Sequence, residues 1–173
     1  MSETAIREAK HLTTSGRTTY LTPKHVIDAL GPFDLDPCAS VERPWPSAAK
    51  HYTIEDDGLV QPWDGFVWCN PPFGKAEAAF VRKLAAHPGG GILLGCPSKT
   101  ETRTWQEVIF PACSGVLFLK GRLKFCNTDG SEMPGTFGAS CLVAFGEQAR
   151  IRLVTSGIEG YGMIVNWNHR RAA

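Results

Sequence analysis

The segment Asn70-Pro71-Pro72-Phe73 constrains this chain more than any other. Two consecutive prolines fix φ twice and remove two backbone donors, so neither residue can sit in a helix interior or mid-sheet. Asn70 precedes a proline and is driven towards an extended conformation. The apolar run Val67-Trp68-Cys69 in front of it reads as a short buried strand. A strand therefore ends on a stiff turn. That turn presents one amide side chain, carbonyls with no neighbouring N–H of their own, and an aromatic ring. With proline near 5% of residues, Asn, Asp or Ser followed by Pro-Pro-aromatic is a chance match in about one chain in a hundred of this length.

Elements on either side of the turn alternate in type. Thr22-Pro23 opens a short helix that Gly31 ends, with Thr22 as the expected N-cap and Pro23 at the first helical position. Phe33-Asp34-Leu35-Asp36 alternates as a strand whose last residue is an acid, and Pro37-Cys38-Ala39-Ser40 is a small-residue turn. A short strand is expected near Tyr52–Ile54, then a helix over 75–86 with Ala79, Phe80, Val81 and Leu84 inward. Ile92–Cys96 and Val116–Leu119 read as buried strands, with a helix over 100–112 between them. Leu123-Lys124-Phe125 and 139–145 read as an antiparallel pair joined by a Gly/Pro loop, and Met163-Ile164-Val165 as a last strand. This order predicts an α/β fold: an open, mostly parallel sheet covered by helices on both faces, with an antiparallel C-terminal hairpin. Ligands in such sheets bind beyond the strands' carboxyl ends. Asp36 and Asn70 both lie at such ends.

With 173 residues and 43% hydrophobic content, the chain fits one domain with a real core, expected over 20–167. Residues 1–19 read as a flexible polar arm and 168–173 as a basic tail. A net charge of +1 excludes binding to nucleic acid by bulk charge alone, though not through local patches. None of the six cysteines forms a CxxC pair, which argues against a zinc ribbon, and no metal is expected. Several lie in apolar runs and read as reduced, buried side chains. The N-terminus is polar and no apolar run approaches membrane-spanning length, so a cytoplasmic protein without membrane attachment is expected. No obligate protein partner is evident.

The turn has a specific chemical use. The exocyclic amine of adenine or cytosine is a weak nucleophile because its lone pair is delocalised into the ring. Two acceptors, the Asn70 side-chain oxygen and the Pro71 carbonyl, can bond both N–H groups and leave the lone pair aimed at an electrophile. They act most strongly on the positive charge that develops, so they favour the transition state. Phe73 can stack on the base. A base in a duplex reaches such a pocket only by flipping out. The electrophile would be a sulfonium methyl, that of S-adenosylmethionine. Holding that molecule needs an acid for ribose hydroxyls, a contact for its adenine amine and donors for its carboxylate. Asp36, Asp57 and the helix start at Thr22-Pro23 are the residues that match those needs.

The order Thr22-Pro23, Phe33 to Ser40, Asp57-Gly58-Leu59, Trp68 to Gly74 and Lys120 to Phe125 resembles phage-type, Dam-like DNA adenine-N6 methyltransferases over roughly residues 18 to 146. The resemblance implies a Rossmann-like, S-adenosylmethionine-dependent methyltransferase fold and methyl transfer to adenine N6 of double-stranded DNA. It implies that Asn70, Pro71, Pro72 and Phe73 form the catalytic loop, that Thr22, Pro23, Asp36, Pro37 and Ala39 line the cofactor, and that Asp57 meets the cofactor adenine. The chain departs from the general fold in two ways. The turn 37–40 has no glycine, and the span from Asp36 to Asn70 has room for one strand rather than two. Asp57 lies 21 residues after Asp36, the distance of a ribose-binding acid. The choice of ribose or adenine among Glu55, Asp56 and Asp57 therefore stays open.

Lys99 and Arg103 follow the strand at 92–96 and are candidate DNA contacts. Arg122 and Lys124 alternate on one face, which fits phosphate contacts and a solvated sheet face equally. His25, His51 and His87 have no partner pattern. Other readings of the same turn are a methyltransferase acting on another NH2 group (an RNA base, cytosine N4 in DNA or a protein glutamine) and a non-catalytic nucleic-acid-binding module on the same fold. No separate target-recognition domain is visible, so loops such as 41–52 and 127–138 would carry any sequence preference.

Overall fold

The computed structural model describes residues 19–134 and 138–163. Most of the arm and the whole basic tail expected from the sequence lie outside them. Seven strands form one sheet: β1 (Leu35–Asp36), β2 (Lys50–His51), β3 (Val67–Cys69), β4 (Gly91–Gly95), β5 (Gly115–Leu119), β6 (Cys141–Phe145) and β7 (Gly160–Met163). The spatial order is β2-β1-β3-β4-β6-β5-β7. The first four strands are mutually parallel, and β6 is antiparallel to both β4 and β5. The sheet is thus mixed, with three parallel and three antiparallel pairings, rather than mostly parallel.

Helices cover both faces. On one face α1 (Lys24–Leu30) and α4 (Glu147–Thr155) bury Val26, Ile27, Leu30, Ala149 and Leu153 against Trp68, Ile92, Leu94 and Leu142. On the other, α2 (Glu77–Ala85) packs Phe80, Val81 and Leu84 against Val67, Cys69, Leu93 and Val143. Alternate residues of β3, β4 and β6 feed the two layers, which is why these strands read as unbroken apolar runs. Leu84 is fully buried, and its truncation to alanine would cost about 2–5 kcal/mol. No helix among the described residues is long and apolar enough to cross a membrane.

Several local expectations shift. The helix starts at Lys24, after Pro23, and Thr22 makes no capping bond. The strand between β1 and β3 is Lys50–His51 rather than Tyr52–Ile54, and it is the only one between them. The segment 100–112 is not one α-helix. Thr102 bonds the Lys99 carbonyl with its own hydroxyl, a side chain competing with the helical ladder. A π-helical turn at Trp105–Ile109 then leads into a short α3 (Phe110–Ala112), where Pro111 withholds the donor that Glu107 would take. Leu123-Lys124-Phe125 does alternate between buried and exposed, yet it is not a sheet strand. Its alternation reports one buried side only. The chain there meets Leu21 through an isolated bridge at Cys126, and β6 pairs with β5 instead. The last strand ends at Met163, and Ile164 and Val165 lie outside the described residues.

Candidate active site

β3 delivers Asn70 at its carboxyl end, next to the end of β1, because Leu35 pairs with Val67 in parallel register. The Asn70 amide nitrogen donates to the Tyr20 carbonyl at 3.3 Å and to Thr22 Oγ1 at 3.4 Å. A backbone carbonyl can only accept, so it fixes which way the amide is turned. Oδ1 therefore faces away from Tyr20, and no donor among the described residues reaches it. Thr22 is buried, and its hydroxyl is used on Asn70 rather than on the helix. Pro71 is buried beneath the turn, while Phe73 is 59% exposed. The Tyr20 ring meets the Phe73 ring edge-on at 6.3 Å and Phe125 at 5.9 Å. The Lys99 ammonium sits 5.5 Å over the Phe73 ring.

At the end of β1, the Asp36 carboxylate builds the turn that follows. Oδ1 accepts from the Cys38 backbone N–H at 3.1 Å and Oδ2 from the Ser47 hydroxyl at 2.5 Å. Only 4% of Asp36 is exposed. Burial pushes its pKa up to about 6, although the bonds from Ser47 and Cys38 pull the other way. The charge thus shapes the Pro37–Ser40 turn from beneath. Cys38, Ala39 and Ser40 are the residues that reach the surface.

The third component is the loop carrying Asp57. Asp57 has a φ of 53°, a left-handed conformation that aspartate tolerates, and its Oδ1 accepts from the Leu59 N–H at 3.2 Å. The next residue, Gly58, lies against the turn after β1. A Cβ there would stand 1.9 Å from the Pro37 carbonyl oxygen, so only glycine allows this approach. The Trp63 indole N–H donates to the Gly58 carbonyl at 2.7 Å within the core. Glu55 and Asp56 stay exposed, and the Asp56 carboxylate closes a local turn with Thr53.

Cys38 joins the pieces. Its sulfur lies 3.9 Å from the sulfur of Cys69, the residue before Asn70. Burial and the neighbouring Cys69 raise its pKa, so it stays a thiol. The turn after β1 therefore touches the Asn70 loop on one side and the Asp57 loop on the other. Asp36, Pro37, Asp57, Thr22 and Asn70, which the sequence singles out separately, form one contiguous edge. At the end of β2 stands His51. Its Nε2 accepts from the backbone N–H groups of Ser47 and Ala48, and burial lowers its pKa.

The basic candidates are all engaged. Lys99 pairs with Glu77 at 2.6 Å, Arg103 with Glu107 at 3.0 Å and Lys124 with Glu132 at 3.2 Å. Arg122 is exposed. Lys99, Glu77 and Gly74 lie on a cavity of about 270 Å³ floored by Val81, Leu93 and Trp105. That cavity adjoins the Phe73 turn and contains neither Asp36, Asp57 nor Asn70. Among the described residues no group of three or more His, Cys, Asp or Glu gathers as a metal site. Sequence reasoning missed Tyr20, Ser47 and Lys83, whose partners are backbone groups or residues distant in the chain. Lys83 shares α2 with the buried apolar residues and has no motif.

A family model described as DNA N-6-adenine-methyltransferase (Dam) matches residues 9–158. No curated protein and no solved structure matched the chain.

Proposed function

Because the chain belongs to the DNA N-6-adenine-methyltransferase (Dam) family, we propose that it transfers a methyl group from S-adenosylmethionine to adenine N6 of double-stranded DNA, with the target base flipped out of the duplex. The observation that carries this reading is the orientation of Asn70. Its NH2 is tied to Tyr20 and Thr22, so the side chain offers only an acceptor to a ligand. An amide free to turn would offer its donor as readily. A fixed acceptor beside the Pro71 carbonyl suits an incoming NH2.

The edge formed by 36–40, 57–58 and 70 fits the cofactor by the chemistry of its groups. Asp57 offers a carboxylate oxygen to an amine or hydroxyl. The turn at Cys38 and Ala39, held by the buried Asp36, brings backbone close to a flat ligand. Thr22 and Pro23 at the start of α1 adjoin Asn70. S-adenosylmethionine supplies an electrophilic methyl on a positive sulfur. Asn70 Oδ1 and the Pro71 carbonyl accept the two N–H groups of the adenine amine and hold its lone pair out of the ring plane. As the N–CH3 bond would form, the S–CH3 bond would break with its electron pair going to sulfur to leave S-adenosylhomocysteine, and the same oxygens would stabilise the positive nitrogen until one of its protons left to water. Phe73, with most of its surface open, provides a face for the base. Lys99, Arg103 and Lys124 would contact phosphates by exchanging their carboxylate partners for DNA, and Arg122 would contact phosphates beside them. The protein would act in the cytoplasm.

Tritiated-methyl transfer with double-stranded DNA, RNA and protein in competition tests the reading. Label in adenine of DNA is the expected outcome. Label in cytosine, RNA or protein would assign the turn to a different NH2, and no label with no binding of S-adenosylhomocysteine would leave a non-catalytic module.

A further inference from the structure

Lys83 lies on α2, away from the residues that the reaction uses, and its ammonium points at a neighbouring loop rather than at a carboxylate. Nζ donates to three carbonyls of one backbone stretch: those of Gly58 at 3.4 Å, Leu59 at 2.8 Å and Gln61 at 2.6 Å. It also sits 4.9 Å over the Trp63 ring. The indole of that same Trp63 holds the Gly58 carbonyl from inside the core. Gly58 in turn is pressed against Pro37. The loop bearing Asp57 is therefore gripped from one side by an ammonium and an indole, and seated on the turn after β1 on the other.

The grip leaves Asp57 available. Burial lowers the pKa of Lys83 and the charge of Asp57 raises it, so the two groups sense each other. Among the described residues they form no ion pair within contact distance, because the three carbonyls take the ammonium's hydrogens. The charge fixes the loop without neutralising its carboxylate by contact. A surface lysine held by several carbonyls and a ring gives up much side-chain freedom. That loss is offset here by the order it imposes on residues 57–61.

We propose that Lys83 is a positioning residue for the methyl donor, holding Asp57 and Gly58 at the height of the Pro37–Ala39 turn so that one rigid edge meets the nucleoside part of the ligand. This rests on the reading that this edge binds S-adenosylmethionine. Lys83 touches neither donor nor base. It acts through the Asp57 loop and leaves the Asn70 turn unaffected.

The test uses the full chain, with S-adenosylhomocysteine as the calorimetric probe and unmethylated DNA as the substrate. Lys83→Met keeps the stem and removes the ammonium. It is expected to weaken S-adenosylhomocysteine binding by about tenfold and to raise the KM for S-adenosylmethionine alike, with kcat at saturation and the KM for DNA changed by less than about threefold. Combined with Asp57→Ala it should add little to the loss from Asp57→Ala alone, since both act at one place. If Lys83→Met does not fold, Lys83→Arg carries the test. A guanidinium reaches fewer of the three carbonyls and is expected to weaken the probe by a few-fold while kcat is retained. Unchanged affinity in the variants, a fall confined to kcat, or full additivity with Asp57→Ala would overturn the inference. Absence of probe binding by the wild-type chain would instead overturn the cofactor reading on which it stands.

Discussion

Thr22 and Asn70, 48 residues apart, share a hydrogen bond in which the threonine hydroxyl accepts from the asparagine amide. That bond and the parallel one to the Tyr20 carbonyl hold Oδ1 of Asn70 as the turn's outward acceptor. Thr22→Val keeps the shape and removes the acceptor. The loss of about 1 kcal/mol of orientation should lower kcat roughly fivefold. Binding of S-adenosylhomocysteine should weaken by less than the rate falls, since one lining hydroxyl is lost, and Thr22→Ser should restore both. Steady-state kinetics beside calorimetry separates the two effects.

Gly58 carries the second junction. A methyl group at this position would overlap the Pro37 carbonyl, and neither backbone can move without disturbing the Asp57 loop or the end of β1. Gly58→Ala is expected to cost about 1–3 kcal/mol in denaturant unfolding and to weaken the cofactor analogue, while Gly138→Ala, where nothing lies within 4 Å and φ is not positive, should cost less.

The Asn70 turn was legible in the sequence because two prolines after an apolar run permit few structures. Asp36 was legible because an acid closing an alternating strand before a proline ends that strand. What each side chain does was less legible. Thr22 carries the signature of an N-cap, but its hydroxyl serves a residue far along the chain, and no local pattern records that. Helix α4 had no clean signal. Ala149 and Leu153 alone face the core, while Ile151 and Val154 are exposed, which blurs the helical period. Lys83 recognises backbone carbonyls, and these are present whatever the sequence.

Asp36 makes stability depend on pH in a defined direction. Its folded pKa of about 6 lies above the ordinary value of 3.8, so the folded chain holds the proton more tightly than the unfolded one. The resulting contribution is full below about pH 4, falls as pH rises through about 6 and is flat above. The shift of about two units corresponds to something on the order of 3 kcal/mol. Asp36→Asn retains an acceptor for Cys38 and can donate to the Ser47 oxygen. Urea unfolding across this range should show wild type losing stability relative to Asp36→Asn between about pH 4 and pH 7. A parallel pair of curves would mean that Asp36 is not the titrating group.

Phe73 is exposed and contributes little to the core, so Phe73→Ala should change unfolding free energy by less than about 0.5 kcal/mol. Loss of base stacking is expected to lower kcat/KM for DNA by about 1–3 kcal/mol in free-energy terms. Phe73→Tyr preserves a ring and should remain active. Thermal unfolding and DNA kinetics on the same preparations check both halves.

The central claim is that the turn at Asn70 presents acceptors to the adenine amine during methyl transfer. Quantifying modified nucleosides by mass spectrometry, in DNA from a host without adenine methylation that expresses either wild type or Asn70→Ala, tests it most directly. N6-methyladenine with the wild type, and its near absence with a folded Asn70→Ala that still binds S-adenosylhomocysteine, is the predicted result. Equal N6-methyladenine from both proteins, or a modified base other than adenine, would contradict it.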